Sequence, residues 1–137
     1  MTARHSAEKF VDEYLQLCED RQLEKASEFL ASGVDIVFPG NRKYTNLQQM
    51  AAASVRRYSW VRKNRTHYSL GERVAADGQV EQIVTSAGTL YGEKLDGTPF
   101  ADIRYIDVFT LRDGLIARQE VWNDLSENGI VQISEGK

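Results

Sequence analysis

Histidine is the side chain whose ordinary pKa lies closest to neutrality, and this chain of 137 residues has two, His5 and His67. His5 falls in the first few residues, where a chain is expected to fray. His67 is therefore the one unperturbed group placed to take a proton near neutral pH. It opens a β-forming run between Thr66 and Tyr68, where a histidine serves equally well as a hydrogen-bonded structural residue. Asp107 is the second candidate. It alternates with Tyr105, Phe109 and Leu111, and period two puts all of them on one face of a strand. A carboxylate among such neighbours must pair with a cation, Arg104 or Arg118 being the near ones, or stay neutral. Tyr14 lies on the helical stripe Phe10, Tyr14, Leu17, Cys18, as a core ring or as a hydroxyl donor. Asp20, in Glu19-Asp20-Arg21, reads as a solvated carboxylate at a helix end. Cys18 reads as a small buried apolar residue.

Composition narrows the chemistry. A single cysteine makes no internal disulfide, and one cysteine with two distant histidines makes no zinc-type cluster. Metal-free, cofactor-free chemistry is the expectation. Lys and Arg number 17 against 20 Asp and Glu, a net charge of −3, which argues against nucleic-acid or anionic-membrane binding. The basic cluster, Arg56-Arg57 and Arg62-Lys63-Asn64-Arg65 around Tyr58 and Trp60, reads as a solvated helix end and loop. No apolar h-region opens the chain and no stretch is long enough to span a bilayer, so a cytoplasmic protein is expected. The length suits one domain, residues 1–137.

The elements that must position these groups come in two blocks. Ser6 can cap a first helix. Leu23, Ala26 and Leu30 give a second helix stopping near Ser32-Gly33. Val34 to Phe38 is a short strand closed by Pro39-Gly40. Thr45-Asn46-Leu47-Gln48 fits a capping box, and apolar spacing continues a third helix to Tyr58. Beyond Asn64 the period becomes two, and Asp77-Gly78, Asp96-Gly97 and Asp113-Gly114 mark hairpin turns. They divide the remainder into a meander of strands near 65–75, 79–93, 99–111 and 115–124. Gly71, Gly88 and Gly92 inside these strands fit either bulges or close backbone packing. The pattern predicts an α+β fold with helices on one face of an antiparallel sheet, whose curvature leaves a concave pocket.

The run Tyr105-Ile106-Asp107-Val108-Phe109-Thr110-Leu111-Arg112-Asp113-Gly114-Leu115-Ile116, followed by Val121-Trp122-Asn123-Asp124, resembles the SnoaL-like branch of the nuclear transport factor 2-like superfamily. The resemblance covers roughly residues 6–125. It implies a cone-shaped α+β barrel, three helices packed in a curved antiparallel sheet, and in such proteins the outer sheet face commonly builds a homodimer. Trp122, which shares a face with Arg118 and Glu120, is then an interface residue.

Two catalytic patterns follow from the resemblance. In ketosteroid isomerases the residues matching Asp107 and Tyr14 donate hydrogen bonds to a developing oxyanion. Their general base falls on Phe38 here, which cannot take a proton. SnoaL-like dehydratases instead use an Asp–His dyad, which Asp20 and His67 would supply, the histidine as base and the carboxylate as its orienter. The epoxide-hydrolase arrangement of this fold falls on Ala87, Thr89 and Val121 and is missing. The polyketide-cyclase acid falls near Asp124, which period two places opposite Gln119, Val121 and Asn123.

The resulting expectation is a cofactor-independent enzyme acting on a hydrophobic, aromatic or polycyclic small molecule. It would abstract a proton and then eliminate or rearrange, as a lyase, dehydratase or isomerase. Phe38, Trp60, Tyr91, Phe109, Val121 and Asn123 are the expected pocket walls. The alternative is a non-catalytic ligand-binding or dimerisation module of the same fold.

Overall fold

The computed structural model describes residues 3–131, with side chains from Ser6 onward; the His5 side chain lies outside the described ones. The elements are α1 (Ala3–Glu19), α2 (Leu23–Ser27), β1 (Leu30–Phe38), a 3-10 turn (Pro39–Asn41), β2 (Arg42–Tyr44), α3 (Leu47–Ser54), β3 (Trp60–Val74), β4 (Val80–Glu93), β5 (Pro99–Arg112) and β6 (Leu115–Asn123). The strands form one sheet in the order β2-β1-β6-β5-β4-β3. The meander β3 to β6 is antiparallel throughout, whereas β1 runs parallel to β6. The sheet is therefore mixed rather than wholly antiparallel. No helix among the described residues is long and apolar enough to cross a membrane.

Several boundaries differ from those expected. The first helix begins at Ala3, so Ser6 lies inside it. The second is a single short turn ending at Ser27, because Leu30 already belongs to β1. Asn46 caps α3 by accepting from the Gln49 N–H at 2.8 Å, while Gln49 Oε1 accepts from the Thr45 N–H. The box is thus one residue later than predicted, and α3 ends at Ser54 rather than Tyr58. At the last hairpin both Asp113 and Gly114 have positive φ, the primed-turn geometry that Asp-Gly favours.

Tyr14, Leu15, Val11 and Ala7 of α1 pack on Val84, Phe109, Leu111, Ile116, Val34 and Ile36 of the sheet. Tyr14 meets Phe109 edge to face, 5.9 Å between ring centroids. A second apolar cluster, including Leu90, Phe100, Ile103, Tyr105 and Leu125, closes the other end. Between the two clusters lies a partly open hollow.

The strand β3 carries the decisive irregularity. Arg65 pairs with Gly88 and His67 with Ala87, so Thr66 is an extra residue, a β-bulge. Ahead of it, Arg65 turns towards α1, where its guanidinium meets Asp12 at 2.8 Å and Glu19 at 2.6 Å. After it, Tyr68 turns inward, donating to Asp12 at 2.6 Å, and Leu70 packs on the core. The inward parity thus passes from odd to even positions. Gly88 permits this: a Cβ there would lie 1.9 Å from the Asn64 carbonyl oxygen. Gly92 sits at a second register shift, where a Cβ would lie 2.1 Å from the Trp60 carbonyl oxygen. Gly71 faces open space, so neither reason expected for a strand glycine applies to it.

Candidate functional site

The hollow is a cavity of about 120 Å³ between α1, α3 and the inner face of the sheet. Its floor is polar: Tyr14 and Cys18 from α1, Lys63 from β3, Tyr105 and Asp107 from β5, and Gln119 from β6. Period two delivers these groups. Asp107 sits across from Val121, and Phe109 from Gln119, so β5 and β6 send both polar side chains to the same side.

Asp107 is fully buried, and neither carboxylate oxygen has a hydrogen-bond partner. Its counter-charge is Lys63, whose Nζ lies 3.7 Å from Asp107 Oδ2 and 5.3 Å from the Tyr105 ring centroid. Burial raises the Asp107 pKa, with Lys63 opposing only in part. For Lys63, burial is the largest influence and favours the neutral amine, but attraction to Asp107, joined by Tyr58, Tyr105 and Glu19, together outweighs it and the pKa ends above the ordinary lysine value. The expected partners are engaged elsewhere. Arg104 binds Asp124 at 2.7 Å and Arg118 binds Glu120 and Asp35, both towards the outer face. Lysine was missed because its cluster reads as a solvated loop. That stretch is in fact the start of β3, with Arg62 and Arg65 bound to acids of the first helix and Lys63 turned inward. A buried Asp107 that demands a cation was the signal able to find it.

Tyr14 is also in the cavity wall, with its hydroxyl engaged by a neighbour. Its hydroxyl donates to Gln119 Oε1 at 2.7 Å. Burial above all holds its pKa well above the tyrosine value, so it stays a donor. The bond fixes the amide of Gln119, a residue that sequence reasoning placed on the inner face without giving it work. With Oε1 occupied, the amide NH₂ is the group left to serve the cavity. Cys18 is pushed up to about 11, chiefly by burial, and is a thiol at neutral pH.

The structure does not bring His67 and Asp20 together. The bulge puts His67 on the exposed side, with its Nε2 hydrogen-bonded to Ser69 Oγ at 2.9 Å. Asp20, just beyond the end of α1, is exposed, accepting from Gln16 and lying 3.6 Å from Arg62. Neither lines the cavity. Among the expected wall residues, Phe38, Val121 and Asn123 line it. Trp60 and Tyr91 do not; they pack against each other edge to face at 6.0 Å. Phe109 is buried in the core beneath Tyr14. Among the described residues, no group of three or more His, Cys, Asp or Glu is arranged to hold a metal ion.

The mouth is more basic than the floor. Arg21, Arg42 and Arg57 line it beside Phe38, Tyr44, Met50 and Tyr58. On the opposite side of the sheet, a wide depression runs past Val37, Ile106, Arg118, Glu120 and Trp122. Trp122 is 53% exposed there and Ile106 45%.

Comparison with known proteins agrees with this architecture. No curated protein matches the chain. Among solved structures, TerC co-crystallized with polyporic acid superposes with a TM-score of 0.71 at 17% identity, over 91% of this chain and 97% of TerC. An NTF2-like protein of unknown function from Burkholderia pseudomallei gives 0.74 at 13% identity, over 97% and 100%. A putative polyketide cyclase from Xanthomonas campestris gives 0.59 at 18% identity, again over 97% and 100%. Identities this low show the shared fold. The SnoaL-like domain model matches residues 11–119, a span running from the middle of α1 to Gln119 on the cavity floor. This chain belongs to the SnoaL-like domain family and has the NTF2-like α+β cone fold.

Proposed function

We propose that the cavity performs proton transfer on a hydrophobic, enolisable carbonyl compound of one or two rings, an isomerase- or cyclase-type reaction. The observation that carries this reading is a fully buried carboxylate with both oxygens unpartnered, facing a cavity beside a lysine. Buried carboxylates are ordinarily hydrogen-bonded; one left open, with a raised pKa, is a stronger base aimed at a ligand. Asp107 takes a proton from the carbon next to the carbonyl. The C–H electron pair forms the enolate, whose oxygen gathers the negative charge that Asp107 has lost. Lys63, released from its partner, and the NH₂ of Gln119 then face that charge. The same Asp107 proton returns to another carbon in an isomerisation; in a ring closure the enolate carbon attacks a second carbonyl, the C=O π pair moves to its oxygen, and the proton goes to that alkoxide. Tyr14 is a positioning residue acting through Gln119.

The cavity volume sets the size of the substrate. About 120 Å³ lies below the usual range for drug-sized ligands, so a polycyclic guest needs the mouth to widen. Methyl phenylpyruvate, neutral and single-ringed, is a suitable probe. The test is exchange of its benzylic hydrogen in deuterated buffer, followed by NMR. Acceleration above the buffer rate is expected. Binding without acceleration, across enolisable ketones of this size, would overturn the reading in favour of a non-catalytic ligand-binding module.

For the outer face, the proposal is a homodimer. Trp122 and Ile106 supply apolar area in the centre, with Arg118 and Glu120 around it, the apolar core and charged rim of a protein interface.

A further inference from the structure

The cavity contains more positive charge than its own acids can neutralise. Glu19 is committed: its carboxylate accepts from Arg65 at 2.6 Å and from the Lys63 N–H at 3.1 Å. Asp107 is matched by Lys63. Arg42 and Arg57 line the same cavity, and neither has an acidic partner among the described residues.

The two arginines are not equivalent. Arg42 is held in place, its Nε donating to the Pro39 carbonyl at 3.1 Å, its Nη1 to the Tyr44 hydroxyl at 2.9 Å, and its guanidinium 5.7 Å from the Phe38 ring centroid. One edge of that guanidinium is left unused. Arg57, which follows α3, is half-buried and its side chain makes no hydrogen bond among the described residues. Burial, and then the nearness of Arg42, lower its pKa. Two like charges lining one partly desolvated cavity cost free energy that a bound anion would offset.

We infer that this site takes an aromatic or alicyclic carboxylate, with the ligand's carboxylate on Arg57 and the free edge of Arg42 and its ring directed inward. Guanidinium groups match the planar carboxylate with paired hydrogen bonds. The apolar wall of Phe38, Met50, Tyr58, Val61 and Val121 matches a ring. The inference rests on reading the cavity as the ligand site, and it narrows the proposed substrate to an enolisable acid such as an aryl keto acid.

Binding of phenylacetate and of its neutral methyl ester, measured by calorimetry, tests it without turnover. The wild-type protein should prefer the acid by roughly tenfold, a difference of about 1.4 kcal/mol, and the preference should shrink as salt rises. Arg57→Gln should bring the two ligands to within about twofold by weakening the acid far more than the ester, and Arg57→Lys should restore part of the preference. Equal wild-type affinities for acid and ester would overturn the carboxylate assignment and leave the cavity reading standing. A preference unchanged in Arg57→Gln would overturn it too. If neither ligand bound, both the assignment and the cavity reading would fall. An Arg57→Gln melting temperature equal to wild type shows that the fold is not the cause of any loss.

Discussion

Lys63 Nζ and Asp107 Oδ2 face each other at 3.7 Å across the floor of the cavity, and neither Asp107 oxygen has a hydrogen bond of its own. The pair is close enough to fix charge states and too far apart to satisfy the carboxylate. A base so placed needs no metal-bound hydroxide or histidine to work, and Lys63 keeps the site neutral as the negative charge passes from carboxylate to enolate.

Removing the ammonium should separate the two roles. Lys63→Met retains the length and apolar stem of the side chain but leaves the developing enolate without its counter-charge. Turnover of methyl phenylpyruvate should fall by about 10²- to 10³-fold, with KM changed only a few-fold. A loss confined to KM would mean that Lys63 binds the ground state alone.

The pH profile follows from the directions of the two shifts. Activity needs Asp107 ionised and Lys63 protonated. Because burial raises the Asp107 pKa, the acid limb of kcat/KM should lie above the ordinary carboxylate value near 4. Because Asp107 raises the Lys63 pKa, the alkaline limb should lie above the ordinary lysine value. An acid limb near the histidine value that disappears in His67→Ala would instead restore that residue as the base.

Asp107 should also cost stability. A carboxyl whose folded pKa exceeds its unfolded one favours folding only while it is protonated, and that contribution is lost as pH rises through the folded value. Wild-type stability should therefore fall between about pH 4 and pH 8, and Asp107→Asn, which has no such group, should lose that part of the pH dependence whatever its melting temperature beside the unpaired Lys63. The same pH dependence in Asp107→Asn as in wild type would contradict a raised Asp107 value.

The outer face offers an independent test. Trp122→Glu puts a charge in the centre of the proposed interface, and sedimentation should show monomer where wild type shows dimer. Wild-type protein sedimenting as monomer would contradict the interface.

The sequence revealed the fold more readily than the site because the two rest on different information. Asp-Gly turns and alternating Val, Ile and Phe are local signals, and they placed β4 and β5 within a residue or two. Asp107 and Gln119 were assigned to the inner face because the strands around them keep their parity. His67 was misplaced because a single bulged residue, Thr66, inverts parity for everything after it. Gly88 hinted at a bulge but not at which strand carried the extra residue. That bulge has its own test: Gly88→Ala should destabilise by about 2 kcal/mol or more, since its Cβ would overlap the Asn64 carbonyl. Lys63 was hidden for a simpler reason. A lysine between arginines reads as surface, and only the helix α1, with Glu19 and Asp12 accepting the arginines, shows which member turns inward.

The most direct measurement is the rate of benzylic deuterium exchange in methyl phenylpyruvate for wild type, Asp107→Asn and His67→Ala, with ligand affinity determined in parallel. Asp107→Asn should lose about 10²- to 10⁴-fold of the rate while binding the ester as tightly as wild type, and His67→Ala should exchange at the wild-type rate. Exchange that persists in Asp107→Asn, or that vanishes in His67→Ala, would contradict the assignment of Asp107 as the base.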